Sequence, residues 1–149
     1  MRPCVPLCER TYQPGPDARA LPAEAGAYAL VLTIAESVQL PVPRPNGCTL
    51  SPGLYVYLGN ARGPGGIAAR VRRHLRPDKR PRWHVDHVLA RAEVRCVLGW
   101  PGGEECAWQR WLSERGASAP VKGLGSSDCR RCPAHLLAVP DVATVTGGR

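Results

Sequence analysis

The chain carries two kinds of hydrophobic pattern, and each predicts a different secondary structure. Residues 26–35 (GAYALVLTIA) and residues 53–59 (GLYVYLG) are apolar runs of strand length, separated by turn-forming residues at 41–47. This arrangement predicts two antiparallel strands joined by a long connection. Shorter apolar or alternating segments at 93–100 and 135–139 predict two further strands.

Other segments have the spacing of helices. In residues 66–76, Ile67, Val71 and Leu75 recur at i, i+4 and i+8 and form one apolar stripe. Two more segments are predicted to be helical. One is short, at 83–89, and the other spans 104–115, where one helical face carries Ala107, Trp108, Trp111 and Leu112. Strands and helices interleaved in this order, without repeated βαβ units, predict an α+β domain. We expect a small, mostly antiparallel β-sheet flanked by helices.

Length and composition fit one compact domain. The chain has 149 residues, of which 44% are hydrophobic, and this leaves little for a second core. Residues 1–23 are rich in proline and aperiodic, so we expect an irregular arm, then the domain at 24–139 and a C-terminal tail at 140–149. No apolar run has the length of a membrane helix or the form of a signal peptide. We therefore expect a cytoplasmic protein with no membrane partner.

The charge distribution indicates an anionic partner. The formal net charge is +8 and nearly all basic residues are arginine, whose planar guanidinium matches phosphate oxygens. Basic residues concentrate between Arg62 and Arg95, whereas a merely solubilising surface usually mixes both signs. We therefore expect nucleic acid or another polyphosphate as the partner. The candidates for phosphate contact are Arg62, Arg72, Arg73, Arg76, Lys79, Arg80 and Arg82.

The seven cysteines leave two interpretations open. An odd number does not suit a disulfide framework in a cytoplasmic protein. Cys129 and Cys132 have C-x2-C spacing and, with His135, Cys4 and Cys8, offer the ligands of a zinc site. Buried thiols without a metal are the alternative.

Two tripeptides carry a resemblance to a known family. GAY at 26–28, on the first predicted strand, and YLG at 57–59, on the second, resemble the half-motifs of the GIY-YIG nucleases. The second tripeptide continues through a glycine-rich turn into a predicted helix that carries Arg70, Arg73 and His74, in the order of the family pattern.

Further segments resemble one poorly characterised branch of that family, whose members occur alone or fused to endonuclease-III-type DNA glycosylases. These segments are WHVDH at 83–87, EC at 105–106 and GSSDC at 125–129. The chain departs from the pattern in that the half-motifs lie further apart, Asn60 replaces a common serine, and CRRC at 129–132 is one residue longer. The resemblance covers residues 24–139. A longer connection is tolerable, because each doubling of loop length costs only about 0.6 kcal/mol.

The resemblance implies a metal-dependent DNA endonuclease that hydrolyses phosphodiester bonds. It implies that Tyr57 is the general base, that Arg70 stabilises the transition state, and that Tyr28 and His74 belong to the same site. It also implies that Glu105 binds Mg²⁺ or Mn²⁺, since these ions favour carboxylate oxygen. The pKa of a tyrosine is ordinarily about 10, so we expect nearby positive charge to lower the pKa of Tyr57.

One predicted helix carries several of the basic candidates. Arg70, Arg73 and His74 lie on one flank of its apolar stripe, so we expect them to converge on one phosphate. Arg72 and Arg76 lie on the opposite flank, where we expect nonspecific contacts with the DNA backbone.

Each assignment has a simpler alternative. Tyr57 fits a packed strand aromatic, Arg70 a surface ion pair, and His74 a structural histidine. Glu105 lies in a first helical turn, where the helix dipole alone favours a carboxylate. Asp86 is the fallback metal ligand, but we expect its WHVDH motif to shape the site or hydrogen-bond to it from behind the ligands. For the whole protein, the alternative is a module that binds nucleic acid without cutting it.

Overall fold

The computed structural model describes residues 11–12, 23–40, 48–75, 84–119 and 136–141. The strands are β1 (Thr11–Tyr12), β2 (Gly26–Ile34), β3 (Val38–Leu40), β4 (Cys48–Leu50), β5 (Gly53–Ala61), β6 (Glu93–Pro101) and β7 (Leu136–Ala138). The helices are α1 (Gly66–Leu75), α2 (His84–Leu89) and α3 (Glu105–Glu114). All strands and helices predicted from the sequence are present, with ends shifted by at most a few residues.

The main sheet has five strands in the order β1-β6-β2-β5-β7, and every pair of neighbours is antiparallel. Strands β3 and β4 form a separate two-stranded sheet. Together with the helices, this confirms the predicted α+β class. No helix in the described ranges is long and apolar enough to cross a membrane.

The central pair of strands aligns the two tripeptide motifs. Strands β2 and β5 pair from Gly26 opposite Ala61 to the far end of both strands. In this register Tyr28 lies opposite Gly59, and Leu30 lies opposite Tyr57. Because side chains alternate along a strand, Tyr28 and Tyr57 project from the same face of the sheet.

Both faces of the sheet are covered, which gives three layers. On one face, which we call the α1 face, Leu30 and Leu32 pack with Ile67 and Val71 of α1 and Val88 of α2. On the other, the α3 face, the core includes Val31, Leu58, Leu98, Trp108 and Leu112. The predicted apolar stripe of α1 is thus buried at Ile67 and Val71.

Two features were not predicted. The long connection between β2 and β5 contains the β3–β4 hairpin, whose Val38 and Leu50 join the core of the α1 face and whose β3 contacts α2. The arm was predicted to be irregular, but Thr11 and Tyr12 pair with Leu98 and Val97 of β6. A two-residue strand has no detectable period, and it forms because β6 offers unpaired backbone groups at the sheet edge.

Candidate active site

A glycine in β5 lets the two tyrosines approach each other. The ring centroids of Tyr28 and Tyr57 are 6.2 Å apart. A Cβ atom on Gly59 would overlap the ring and the hydroxyl oxygen of Tyr28. Glycine at this position therefore makes room for the Tyr28 ring, which explains the last residue of the YLG motif.

Helix α1 docks through its first turn onto the segment that precedes β2. The Ile67 amide donates to the Glu24 carbonyl at 3.0 Å. Gly66 has a φ of +58°, and a Cβ there would overlap the carbonyl oxygens of Ala23 and Glu24. Glycine thus permits both the left-handed backbone and the close contact. This docking fixes the position from which α1 presents its polar residues to the tyrosines.

His74, near the end of α1, packs against both tyrosines. Its Nε2 lies 2.7 Å from the Tyr28 hydroxyl oxygen, within hydrogen-bond distance. The imidazole centroid is 5.5 Å from the Tyr28 ring and 5.6 Å from the Tyr57 ring. His74 is only 2% exposed, so solvent does not reach this contact.

Asp86 of α2 is the next polar group behind His74. Its Oδ1 and Oδ2 accept hydrogen bonds from Nη1 and Nη2 of Arg73 at 3.2 and 3.3 Å. Oδ1 also lies 3.9 Å from Nδ1 of His74. Both carboxylate oxygens of Asp86 are thus engaged by Arg73, and its fallback assignment as a metal ligand stays a prediction.

Glu105, the first residue of α3, is tied to the end of β5. Asn60 Nδ2 donates to Glu105 Oε1 at 2.9 Å. The other oxygen, Oε2, is buried and accepts no hydrogen bond from the described residues. A buried carboxylate oxygen without a partner is costly, and a bound cation would satisfy it.

Burial controls the acidity of the tyrosines. It raises the pKa of Tyr57 to about 12, although a hydrogen bond with Tyr28 and the charge of Arg70 both lower it. The carboxylates of Asp86 and Glu105 add to the increase. Burial also raises the pKa of Tyr28 well above its ordinary value. The expectation of a lowered pKa for Tyr57 is therefore wrong for the protein alone, because desolvation outweighs Arg70.

A pocket opens beside these groups. Its volume is about 290 Å³, and it is lined by the turn at 61–66 and by Ala69, Arg70 and Arg73. Arg70 also lowers the pKa of both tyrosines, so its guanidinium lies within electrostatic range of their hydroxyls. A phosphate group fits such a space, with Arg70 on one side.

The structure brings together Tyr28, Tyr57, Arg70, His74 and Glu105, which come from β2, β5, α1 and α3. Of the three residues expected to converge on one phosphate, Arg70 and Arg73 line the same pocket, whereas His74 does not. His74 is buried against Tyr28, and Arg73 is bonded to Asp86 although it also lines the pocket.

The remaining candidates fall into two groups. Arg62 and Arg72 are exposed, as phosphate contacts require. The residues that lie outside the described ranges are Arg76, Lys79, Arg80, Arg82, Cys4, Cys8, Cys129, Cys132 and His135. Within the described part of the chain, no group of three or more His, Cys, Asp or Glu side chains is arranged to hold a metal ion. A single carboxylate ligand such as Glu105 is compatible with that result, since Mg²⁺ keeps most of its waters.

Sequence reasoning missed two contacts of the site. The Arg73–Asp86 pair joins α1 to α2, and the Asn60–Glu105 hydrogen bond joins residues 45 positions apart. Asn60 was noticed only as a departure from a family pattern. Its partner has no local signal, because strand register and helix docking decide it.

The fold and site define a sheet-centred α+β protein with a buried tyrosine–histidine cluster beside an arginine-lined pocket. Residues 27–147 match the family described as Domain of unknown function DUF123. Since this match covers most of the chain, the protein belongs to that family. No curated protein and no solved structure matches the chain.

Proposed function

We propose that this protein is a divalent-metal-dependent DNA endonuclease that hydrolyses phosphodiester bonds, as its resemblance to the GIY-YIG nucleases implies. One observation carries the proposal. Two tyrosines, an arginine, a histidine and a carboxylate from four separate elements come together, and the arginine, Arg70, lines a pocket large enough for a phosphate group. Hydrolysis of a phosphodiester needs a group that takes a proton from water and groups that stabilise charge on phosphate.

Arg70 is the candidate for stabilising the phosphate. Its guanidinium carries a fixed positive charge and presents paired N–H donors suited to phosphate oxygens. It lines the pocket and is close enough to Tyr57 to affect the pKa of its hydroxyl. A phosphate bound by Arg70 would therefore lie next to the Tyr57 hydroxyl.

Tyr57 is the candidate general base, and it must first lose its own proton. Each unit between a pKa of about 12 and the ambient pH costs about 1.4 kcal/mol. An internal proton acceptor reduces this cost, and the cluster contains one. For this step the hydroxyl hydrogens rotate so that Tyr57 donates to the Tyr28 oxygen and Tyr28 donates to Nε2 of His74. The Tyr57 proton then passes to the Tyr28 oxygen as the Tyr28 proton passes to His74. The Tyr57 phenolate then accepts a proton from the water whose oxygen attacks phosphorus. As the P–O3′ bond breaks, O3′ takes a proton from solvent water, and the proton held on His74 returns to solvent, which closes the proton balance.

The carboxylate of Glu105 offers the type of ligand that a hard divalent cation prefers. Oε1 is held by Asn60, while Oε2 is buried and accepts no hydrogen bond within the described ranges. Carboxylate oxygen is the ligand that Mg²⁺ and Mn²⁺ prefer. A divalent cation bound there would supply positive charge that favours both the Tyr57 phenolate and the developing phosphate charge.

The test is to incubate the protein with supercoiled plasmid, branched DNA and single strands in Mg²⁺, Mn²⁺ or EDTA. We expect nicking or cutting only with a divalent cation. Glu105→Gln should abolish it and weaken Mn²⁺ binding measured by electron paramagnetic resonance. Glu104→Gln is the matched control, because Glu104 is the exposed neighbour and makes no capping bond with its side chain.

Cleavage undiminished by EDTA would contradict the proposal. Salt-sensitive DNA binding without cleavage in any metal would favour the alternative, a nucleic-acid-binding module, because phosphate contacts alone release counterions.

A further inference from the structure

Asp86 is a buried carboxylate between α1 and α2, and the mechanism above does not use it. The residue is 2% exposed. Removing a carboxylate from water costs free energy, and the ion pair with Arg73 does no more than cancel that cost. A buried ion pair is often no more stabilising than apolar residues of the same size. Stability alone therefore does not account for a charged pair at this interface.

The position of Asp86 relative to His74 indicates what the charge does. Asp86 Oδ1 lies 3.9 Å from Nδ1 of His74, whereas Nε2 on the other side of the ring lies 2.7 Å from the Tyr28 hydroxyl. A distance of 3.9 Å is too long for a hydrogen bond, so the carboxylate acts through its charge. A negative charge beside Nδ1 favours a proton on that nitrogen, which leaves Nε2 as the acceptor.

The charged and titratable groups around His74 come from every element packed against it. Tyr28 lies on β2, Tyr57 on β5, Arg70 and Arg73 on α1 and Asp86 on α2. Arg73 offsets part of the Asp86 charge and, through two hydrogen bonds, fixes the carboxylate in place. Asp86 is the carboxylate that faces His74 among these groups.

We infer that Asp86 is a positioning residue, which holds the neutral His74 in the Nδ1-protonated form and stabilises the imidazolium that forms when Nε2 takes the proton from Tyr28. This inference rests on the proposed function, since it explains why Nε2 of His74 can accept a proton in that reaction. In this proton transfer Tyr57 becomes a phenolate and His74 becomes a cation. Asp86 and Arg73 keep their charges. The carboxylate thus lowers the cost of separating charge inside the cluster.

The test compares Asp86→Asn with Glu93→Gln. Asp86→Asn keeps the shape and removes the charge. Glu93→Gln makes the same chemical change at an exposed carboxylate that lies 3.8 Å from Arg95. The tautomer of His74 is read from ¹⁵N chemical shifts of histidine-labelled protein, with His74→Gln used to assign the signal. Cleavage is measured in single turnover, and DNA affinity is measured separately.

We expect Nδ1-protonated His74 in the wild type and in Glu93→Gln, and a shift towards the Nε2-protonated form in Asp86→Asn. Cleavage by Asp86→Asn should fall on the order of a hundredfold, with DNA affinity within about twofold of wild type. A purely structural role would leave the tautomer unchanged.

An Nε2-protonated His74 in the wild type would overturn the inference, even if Asp86→Asn does not fold. A folded Asp86→Asn variant with unchanged tautomer and cleavage would overturn it as well. If the wild type cuts no DNA in any metal, the proposed function fails. The tautomer comparison then still decides whether Asp86 positions His74.

Discussion

Both faces of the main sheet are buried, but the α1 face buries several ionisable side chains, whereas the core cluster of the α3 face is apolar. The α1 face encloses Tyr28, Tyr57, His74 and Asp86 among its apolar residues. The core cluster of the α3 face contains aliphatic and tryptophan side chains, with Trp108 fully buried at its centre. A buried polar group that lacks a hydrogen-bond partner is costly, whereas apolar packing is stabilising without that condition. We propose that the α3 face contributes packing, whereas the reactive groups come mainly from the α1 face, with Glu105 supplied by α3.

The α3 face also has features that suit a rigid support. The Trp100 and Trp108 rings meet edge to face with centroids 6.1 Å apart. A Cβ on Gly103 would overlap the Trp100 ring, so glycine allows the chain to turn closely over it before α3 begins. The result is that Glu105, at the start of α3, is held at a fixed position next to Asn60.

The largest effect that we expect is on stability, from Trp108→Ala. Removing a fully buried tryptophan typically costs about 3–5 kcal/mol of the free energy of unfolding. Urea unfolding measures it. Arg115→Ala is the control, because the Arg115 guanidinium lies over the Trp111 ring at 4.7 Å but is exposed, and such contacts contribute about 0.5–1 kcal/mol. Equal effects of the two variants would show that the buried packing of Trp108 stabilises the protein no more than an exposed contact of the same helix.

The next largest effect is on catalysis, from Arg70→Ala. Loss of a preorganised charge at a reacting centre costs about 3–4 kcal/mol, or on the order of a few hundredfold in rate. DNA binding should persist, because the other basic residues predicted to contact phosphate are unchanged. The measurement is single-turnover cleavage at saturating enzyme. Arg110→Ala, an exposed arginine of α3, should cleave at the wild-type rate. Near-normal cleavage by Arg70→Ala would remove the proposed site from the α1 face.

The smallest effect concerns pH. A tyrosine whose pKa is raised by folding, here from about 10 to about 12, stabilises the protein fully below pH 10, and this contribution disappears as pH rises through 12. Between pH 9 and 11, metal-free wild type should therefore lose about 1.4 kcal/mol more of its unfolding free energy than Tyr57→Phe. Urea unfolding at the two pH values measures it.

Tyr55→Phe provides the matched control for the same strand face. The Tyr55 hydroxyl donates to the Ser51 carbonyl at 2.6 Å and takes no part in the cluster. Its removal should leave DNA cleavage intact, whereas Tyr57→Phe should abolish it. If wild type and Tyr57→Phe depend on pH in the same way, the Tyr57 hydroxyl is not buried as described.

The sequence by itself determined the elements and their class. Apolar runs at 26–35 and 53–59 became β2 and β5, and the i, i+4 spacing of Ile67 and Val71 became the buried stripe of α1. These patterns can be read locally, because a strand or helix with a buried face must repeat its apolar residues with the period of its backbone. Alternation also placed Tyr55 and Tyr57 on one face correctly.

Only the tertiary structure decided how the polar side chains are used. Arg73 was grouped with Arg70 from its place on α1, and the two line the same pocket, but docking of α2 also pairs Arg73 with Asp86. Cations were expected to lower the pKa of Tyr57, but burial between sheet and helices raises it. Both outcomes depend on partners and on desolvation supplied by distant segments. Contacts with distant segments and desolvation leave no periodic pattern in the sequence. The sequence therefore indicates which residues lie near the site but not their electrostatic environment.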